Sequence, residues 1–314
     1  MIDPTLIDTI TYSSLLGIMT FGLSFVRRTT GVWNIAHAGL ITIGAYVVFT
    51  CISFFGESPY IYLPLAFVLS AVVAVIEYML IIETLRKRKA STTMMLISTL
   101  AFDLVMLSIL NIYADYLQNT FSLLSKNFLL KKLDFTLFDE PGIFWASLLF
   151  LIIFLAALYG VLNYTKIGTA LRACVYNPTL ASISGINVMH TNLLSWFISG
   201  GLAGVAGGLL PLWIQGKPVL GDSLIAVMFC VSIVGGVEEI YGTVLGGFLV
   251  GFTQILGTSA LSIVLGPTVI PYKPLIPMVI LVLALLFAPS GIAKVNWNKI
   301  LTVVKFGGEP KRKI

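Results

Sequence analysis

The sequence has few charged residues. Asp, Glu, Lys and Arg make up 11% of its 314 residues, whereas hydrophobic types make up 58% and the mean hydropathy is +0.98. Soluble domains usually have about 25% charged residues, because charged side chains must cover their surface. The composition therefore excludes an ordinary soluble protein and indicates an integral membrane protein.

Cysteine and histidine are also scarce. Cys51, Cys174 and Cys230 lie far apart in the sequence and form no cluster with the two histidines, which excludes a disulfide framework or a zinc site. A phosphate-binding pattern G-x-x-x-x-G-K-[ST] is missing, since the Gly-Lys pair at Gly216 is followed by proline. Hydrolase patterns such as Ser-x-x-Lys are missing as well. We predict a protein that is not an enzyme and binds no cofactor or metal directly.

Long apolar runs dominate what remains. A helix needs about 20 apolar residues to cross roughly 30 Å of hydrocarbon, whereas strands of a membrane barrel alternate in polarity, which is not seen here. Charge clusters and turn residues divide the sequence into nine candidate spans, at 5–26, 34–55, 60–83, 91–113, 143–162, 190–213, 223–236, 243–264 and 275–290. We predict an all-α polytopic bundle of about nine transmembrane helices, with a range of eight to ten. The run 223–236 is too short to cross alone, so we expect a half-helix, a tilted end, or part of a broken pair that packs within the protein.

Lysine and arginine positions predict the orientation. Loops that stay in the cytoplasm carry an excess of these residues, and most of the 19 fall at 27–28, 86–89, 166–172 and 294–313. The prediction is an N-out, C-in topology for a single transmembrane domain, 1–314. Its cytoplasmic parts include segment 163–190 and a basic tail, 291–314. The sequence has no basic patch interleaved with aromatic residues, so we expect no nucleic-acid partner.

The longest predicted external loop, 114–142, mixes aromatic and charged residues. Such a composition suits an amphipathic piece lying on the membrane surface, and it also suits a surface that receives a partner from outside. Both interpretations stay open from the sequence.

The cytoplasmic stretch TKIGTALRACVYNPTLASISGINV, 165–188, predicts two short helices. Apolar residues recur at i, i+3, i+4, i+7 and i+8, which gives one apolar face; these are Ile167, Ala170, Leu171, Cys174 and Val175. Asn177 then reads as a helix N-cap, Pro178 as the first helical residue and Gly185 as the stop. By itself this pattern also fits a connector lying flat on the bilayer.

The same stretch resembles the coupling loop of permease subunits from ABC importers of the branched-chain amino-acid (Liv) type. The matching positions are Thr165, Gly168, Ala170, Leu171, Arg172, Ala173, Asn177, Ala181, Gly185, Ile186, Asn187 and Val188. Stretches 29–46, 199–210, 234–251 and 285–292 resemble further motifs of the family in the family's order. Together they cover about residues 17 to 292.

The resemblance implies a permease bundle like those of type II ABC importers, placed in the cell membrane. Residues expected to couple it to ATPases are Thr165, Gly168, Leu171, Arg172, Ala173, Asn177, Pro178, Ala181 and Gly185. The implied partners are a second, related permease, two cytoplasmic ATPases that carry ATP and magnesium, and an external binding protein. The implied substrate is a branched-chain or related small amino acid. Departures from the family's pattern, such as Ala38 after His37, leave the substrate and the permease type open.

Three polar residues are candidates for the substrate pathway. Asn34 and His37 stand at the start of an apolar run flanked by glycines that tolerate a broken helix, and Asp103 lies inside a predicted span. His37 also fits a satisfied structural histidine, and Asp103 a structural hydrogen-bonding role. Glu77 is near a membrane end and is expected to reach the interface.

Glycines spaced four residues apart predict close helix packing. They are Gly200, Gly204 and Gly208, and Gly247 and Gly251. Such small faces let helix backbones approach closely, and we expect them to serve assembly of the bundle and contact with a second permease.

Three other functions are also compatible with the sequence. A secondary transporter or channel working alone predicts activity without ATP and inverted-repeat halves, and no clear repeat is seen. A structural membrane protein without transport would make the coupling-loop match a coincidence. A permease for urea or another small polar solute would share the same loop.

Overall fold

The computed structural model describes residues 3–236, 239–287 and 291. Apart from Gly291, the predicted basic tail, 291–314, lies outside these residues. Within them the chain is almost entirely helical, which confirms the predicted all-α class.

Each of the nine predicted apolar runs contains a helix. The helices are α1 (Pro4–Thr30), α2 (His37–Phe55), α3 (Leu63–Glu77), α4 (Thr84–Lys87), α5 (Thr92–Phe121), α6 (Gly142–Tyr164), α7 (Lys166–Tyr176), α8 (Pro178–Ile183), α9 (Val188–Leu209), α10 (Asp222–Gly235), α11 (Ile240–Leu265) and α12 (Leu275–Phe287). A π-helix, Tyr78–Glu83, joins α3 to α4, and a short hairpin of β1 (Thr136–Leu137) and β2 (Glu140–Pro141) precedes α6. In the described ranges, seven helices are long and apolar enough to cross a membrane, whereas α10 and α12 are shorter.

Helix α1 is the centre of the bundle. Its most apolar window is 94% buried, compared with 28% for α5 and for α6. It packs against α6, α9, α10 and α11. The peripheral helices therefore keep broad apolar faces for lipid or other subunits.

Glycines bring the central helices together. A Cβ at Gly204 would lie 2.6 Å from the Ser70 hydroxyl and even closer to the carbonyl of Ala66, and one at Gly200 would overlap Ala74. Gly208 faces Leu63 in the same way, and Gly204 also touches Gly44 of α2. Helix α9 is thus wedged between α2 and α3, at a separation that only glycine permits.

The second glycine face joins α11 to α1. A Cβ at Gly247 would stand 2.8 Å from Gly17, and one at Gly251 would meet Ser13. Both predicted faces are filled by helices of the same chain, so they are not open to a second permease. The suggested between-subunit role is corrected to packing within the chain, because these helices are already in backbone contact.

Two helices begin inside the bundle. Residues 31–36 after α1 are not helical, and α2 starts at His37, which donates from Nε2 to the carbonyl of Met19, 2.8 Å away near the middle of α1. The segment before α10 likewise descends into the protein, since the Gly221 amide donates to Thr42 Oγ1 at 3.0 Å. The short run predicted as a half-helix is therefore packed with its N-terminus next to that of α2.

The loops predicted to be external gather at one end. The Phe128 and Gly216 backbones exchange hydrogen bonds of 3.0 and 2.7 Å, and Tyr60 donates to Asp134 at 2.6 Å. Helix α5 continues to Phe121, so the expected loop 114–142 is shorter than predicted, because Ala114 and Leu117 are buried in the core.

A cation–aromatic cluster lies at the same end. Lys273 Nζ is 5.1 Å from the ring centre of Tyr12 and 5.2 Å from that of Trp213, whose indole N–H donates to Asp8 at 2.8 Å. Burial lowers the pKa of Lys273, and the nearby Asp8 charge opposes that shift. The cluster fastens the segment after α11 to the start of α1.

Replacing Gly204 with alanine is expected to destabilise the protein by about 1–3 kcal/mol, because the added methyl overpacks the contact with α3. Gly160→Ala is the control, since nothing lies within 4 Å of a Cβ there, and it should be neutral or stabilising by about 0.5–1 kcal/mol. Thermal unfolding in detergent measures both. Equal melting temperatures for the two variants would contradict the packing role.

Candidate functional sites: the capped helix pair and the buried polar cluster

Helices α7 and α8 are each capped by their own sequence. Thr165 Oγ1 accepts from the Gly168 amide at 3.1 Å and donates to the Val161 carbonyl at 2.6 Å. Asn177 Oδ1 accepts from the Leu180 amide at 3.0 Å, with Pro178 in the first helical position. These caps pair amides that a helix start leaves open.

The end of α8 is fixed by a left-handed glycine. Gly185 has φ +83°, and the Gly185 and Ile186 amides donate back to Ser182 and Ala181 at 3.1 and 3.0 Å. This is a Schellman motif, which a residue with a Cβ adopts only with strain. The segment 165–186, which we call the helix pair, is therefore a defined hairpin and not a loose linker.

The helix pair presents an inner and an outer face. Leu171, Cys174 and Ala181 are buried, and Gly168 packs so closely on Val161 and Leu162 that a Cβ would overlap them. The outer face holds Tyr176, Leu180 and Ile183, which are 85%, 60% and 79% exposed. The predicted apolar face is only partly buried, since Ile167 is 49% exposed. Ala173 is half-buried between the two faces.

Arg172 lies where α7 meets the end of α6. Its guanidinium donates to Asn163 Oδ1 at 3.3 Å and lines a groove of about 90 Å³ together with Arg28. The groove also includes Tyr176 of the outer face, but not Leu180 or Ile183 of α8.

A second group of polar side chains, the buried polar cluster, surrounds the start of α2. The Gly39 amide donates to Asp103 Oδ1 at 3.1 Å, and the Ile35 amide donates to Thr99 Oγ1 at 3.2 Å. Thr99 and Asp103 are four residues apart and share one face of α5. That face pairs backbone amides that would otherwise be unpaired within the bundle.

Asn34 and Glu77 form another part of the cluster. Asn34 Nδ2 donates to Glu77 Oε2 at 3.1 Å, and Glu77 is 0% exposed. The expectation that Glu77 reaches the interface is wrong, because its side chain turns into the bundle toward the irregular segment 31–36.

The structure adds features that the sequence did not reveal. Asp222, the first residue of α10, lies against the Asp103 carboxyl, so two acidic side chains meet where the two inner helix starts converge. An acidic residue at the start of a short apolar helix was the signal in the sequence that could have identified Asp222.

The π-helix begins immediately after Glu77, and π-helical turns are frequent at functional sites.

The structure brings Asn34, His37 and Asp103 close to the same helix start. It does not bring the helix pair into this cluster, because α7 packs against α1, α6 and α9 at the end of the bundle. The two sites are connected through α1 and the segment that follows it.

Comparison with known proteins decides the family. The profile of the family described as "Branched-chain amino acid transport system / permease component" matches residues 5–285. The chain belongs to this family. Membership makes it a multi-pass membrane permease component and not an enzyme, and it removes the structural protein without transport as an alternative.

Individual relatives agree with the family. The permease is 40% identical over 291 residues to the "Probable branched-chain amino acid transport permease protein LivH" of Methanocaldococcus jannaschii, covering 93% of this chain and 92% of that one. It is 28% identical over 303 residues to the corresponding high-affinity permease of Escherichia coli K12, covering 90% and 92%. A shorter match is to the ribose import permease RbsC of E. coli K12. It is 30% identical over 146 residues and covers 43% of this chain and 42% of that one. No solved structure matches the permease significantly.

Asp103→Ala is expected to lower the stability of the permease by about 1–3 kcal/mol, because the buried Gly39 amide loses its acceptor. Asp103→Asn keeps an oxygen in place and should cost less. Ser108→Ala, on the exposed side of α5, is the control and should be close to neutral. Thermal unfolding in detergent ranks the three, and an asparagine variant as unstable as the alanine variant would argue against the acceptor role.

Proposed function

We propose that this permease moves branched-chain amino acids across the cell membrane as one subunit of an ATP-driven importer. The names of its full-length relatives support this substrate class. The full-length relatives with this name are of the LivH and BraD type, which favours that permease type for this chain. A second, related permease completes the pathway.

The proposed importer has two further kinds of subunit. Two cytoplasmic ATPases bind ATP and magnesium, since the sequence has no phosphate-binding loop of its own. An external binding protein delivers the amino acid to the end of the bundle that holds the loops after α5, α9 and α11. This assignment assumes the N-out, C-in orientation that the lysine and arginine distribution favours.

The observation that carries the proposal is the helix pair. Caps at Thr165, Asn177 and Gly185 fix both helices, so a push on α8 is passed on as a rigid-body movement instead of being absorbed. The exposed Tyr176 is an aromatic anchor of the kind that dominates binding energy at interfaces, and Leu180 and Ile183 add exposed apolar area. We assign ATPase docking to this face.

Movement of the helix pair has a route to the interior. Helix α7 packs on α1 and α6, and α1 leads directly into segment 31–36 and the start of α2. Around that start, Glu77 Oε1, Asn34 Oδ1 and His37 Nδ1 are buried without a hydrogen-bond partner among the described residues. In our proposal Asn34, His37 and Asp103 border the pathway, and these free atoms contact the polar end of the passing amino acid.

Gly185→Ala is expected to reduce amino-acid uptake and ATPase co-purification several-fold, because a Cβ strains the left-handed residue that ends α8 by about 1–2 kcal/mol. Gly56→Ala is a matched control. Gly56 also has a positive φ, +72°, and neither glycine has an atom within 4 Å of an added Cβ, but Gly56 lies at the end of α2 away from the helix pair. If both variants lose ATPase equally, the effect is general instability and the docking assignment fails.

Ile183→Asp is expected to abolish co-purification of the ATPases while leaving the permease folded, because it puts a charge into the proposed apolar interface. Leu124→Asp is the control at the opposite end, where Leu124 is 77% exposed compared with 79% for Ile183. Pull-down of the ATPases through a tagged permease measures the difference. Retention of ATPase by the Ile183 variant would contradict docking on α8.

A further inference from the structure

A basic groove lies at the root of the helix pair, where α7 meets α1 and α6. Its volume is about 90 Å³, and the side chains around it come from all three helices: Phe25, Arg28, Leu162, Arg172, Val175 and Tyr176. Phe25 and Leu162 belong to the long apolar helices and are buried. The floor of the groove is therefore apolar and belongs to the membrane-spanning part, whereas its rim carries two guanidinium groups.

The two arginines have no acidic partner in the part of the chain that the structure describes. The Arg28 side chain makes no hydrogen bond or ion pair there, and the Arg172 side chain has only the neutral amide oxygen of Asn163. The whole of 163–190 contains no Asp or Glu, and Lys166 adds a further positive charge. Two positive charges that share a groove repel each other, so an anion between them would stabilise the arrangement.

The shape of the site favours a lipid over a protein partner. Arginine guanidinium groups are suited to bind phosphate through paired hydrogen bonds, and basic pockets between transmembrane helices bind lipid headgroups. An acyl chain would continue onto the exposed apolar side of α6, whose most apolar window is only 28% buried. The proposed ATPase contacts Leu180 and Ile183 lie on α8 outside the groove, whereas Tyr176 borders both sites.

We propose that this groove binds the headgroup phosphate of an anionic phospholipid, with Arg28 and Arg172 on either side of it and an acyl chain that leaves the apolar floor at Phe25 and Leu162 along the exposed side of α6. A bound lipid links α1 to α7 across the groove. The site thereby ties the helix pair to the central helix of the bundle, independently of which solute is transported.

The test is native mass spectrometry of the purified full-length permease in detergent micelles containing phosphatidylglycerol or phosphatidylcholine. We expect wild type to retain one phosphatidylglycerol that resists removal, and little phosphatidylcholine. Arg28→Gln and Arg172→Gln should each weaken retention about fivefold, and the double variant about twenty- to thirtyfold. Phosphatidylglycerol should also raise the melting temperature of wild type but not of the double variant.

The control is the double variant Arg88→Gln and Lys89→Gln, which removes two exposed charges at the same end of the bundle but outside the groove. It should keep the tightly bound lipid. If the arginine double variant does not fold, the pair Arg28→Lys and Arg172→Lys replaces it, and retention should fall to an intermediate value because the fork geometry is lost.

Three results would overturn the proposal. Equal retention by wild type and the arginine variants would remove the site. Equal loss in the control pair would reduce the effect to general surface charge. A melting-temperature increase from inorganic phosphate in phosphatidylcholine micelles, as large as that from phosphatidylglycerol, would identify a free anion and not a lipid as the ligand.

Discussion

The bundle depends on pairing backbone amides where no water is available. Helix α2 begins within the protein, so its first amides need acceptors from neighbouring helices. Helix α5 supplies them through Thr99 and Asp103, one turn apart, at 3.2 and 3.1 Å from the Ile35 and Gly39 amides. Without this face of α5, the Ile35 and Gly39 amides would lack these acceptors inside an apolar environment.

That arrangement gives the permease a contrast between a fixed and an adjustable part. Helices α1, α2, α3, α9 and α11 are held at backbone contact by glycine, which leaves little room for sliding. The buried polar cluster instead contains carboxyl, amide and imidazole groups with unused hydrogen-bonding atoms. Exchange of polar partners there requires less reorganisation than separation of the glycine faces.

The sequence predicted the helical class, the nine apolar runs and the caps at Asn177 and Gly185, because these depend on local rules of hydrophobic length and capping; the Thr165 cap was not predicted. The glycine spacing also predicted close packing, but not the partner, since spacing cannot distinguish a neighbour in the same chain from one in another subunit. Asp222 and the burial of Glu77 were missed. Both depend on which helices converge in space, and no periodicity along one helix contains that information.

The span Pro59–Lys87 shows what the π-helix contributes. Glu77 and Ile82 are both fully buried although they are five residues apart, the spacing of π-helical hydrogen bonds. On the N-terminal side of the π-helix, Glu77 accepts a hydrogen bond from Asn34. On its C-terminal side, Arg86 donates to the Thr30 carbonyl at 3.0 Å. The span Pro59–Lys87 therefore contacts the connection between α1 and α2 at two points, Thr30 and Asn34. Because the π-helix lies between the two contacts, its conversion to α-helical hydrogen bonding would rotate one contact relative to the other.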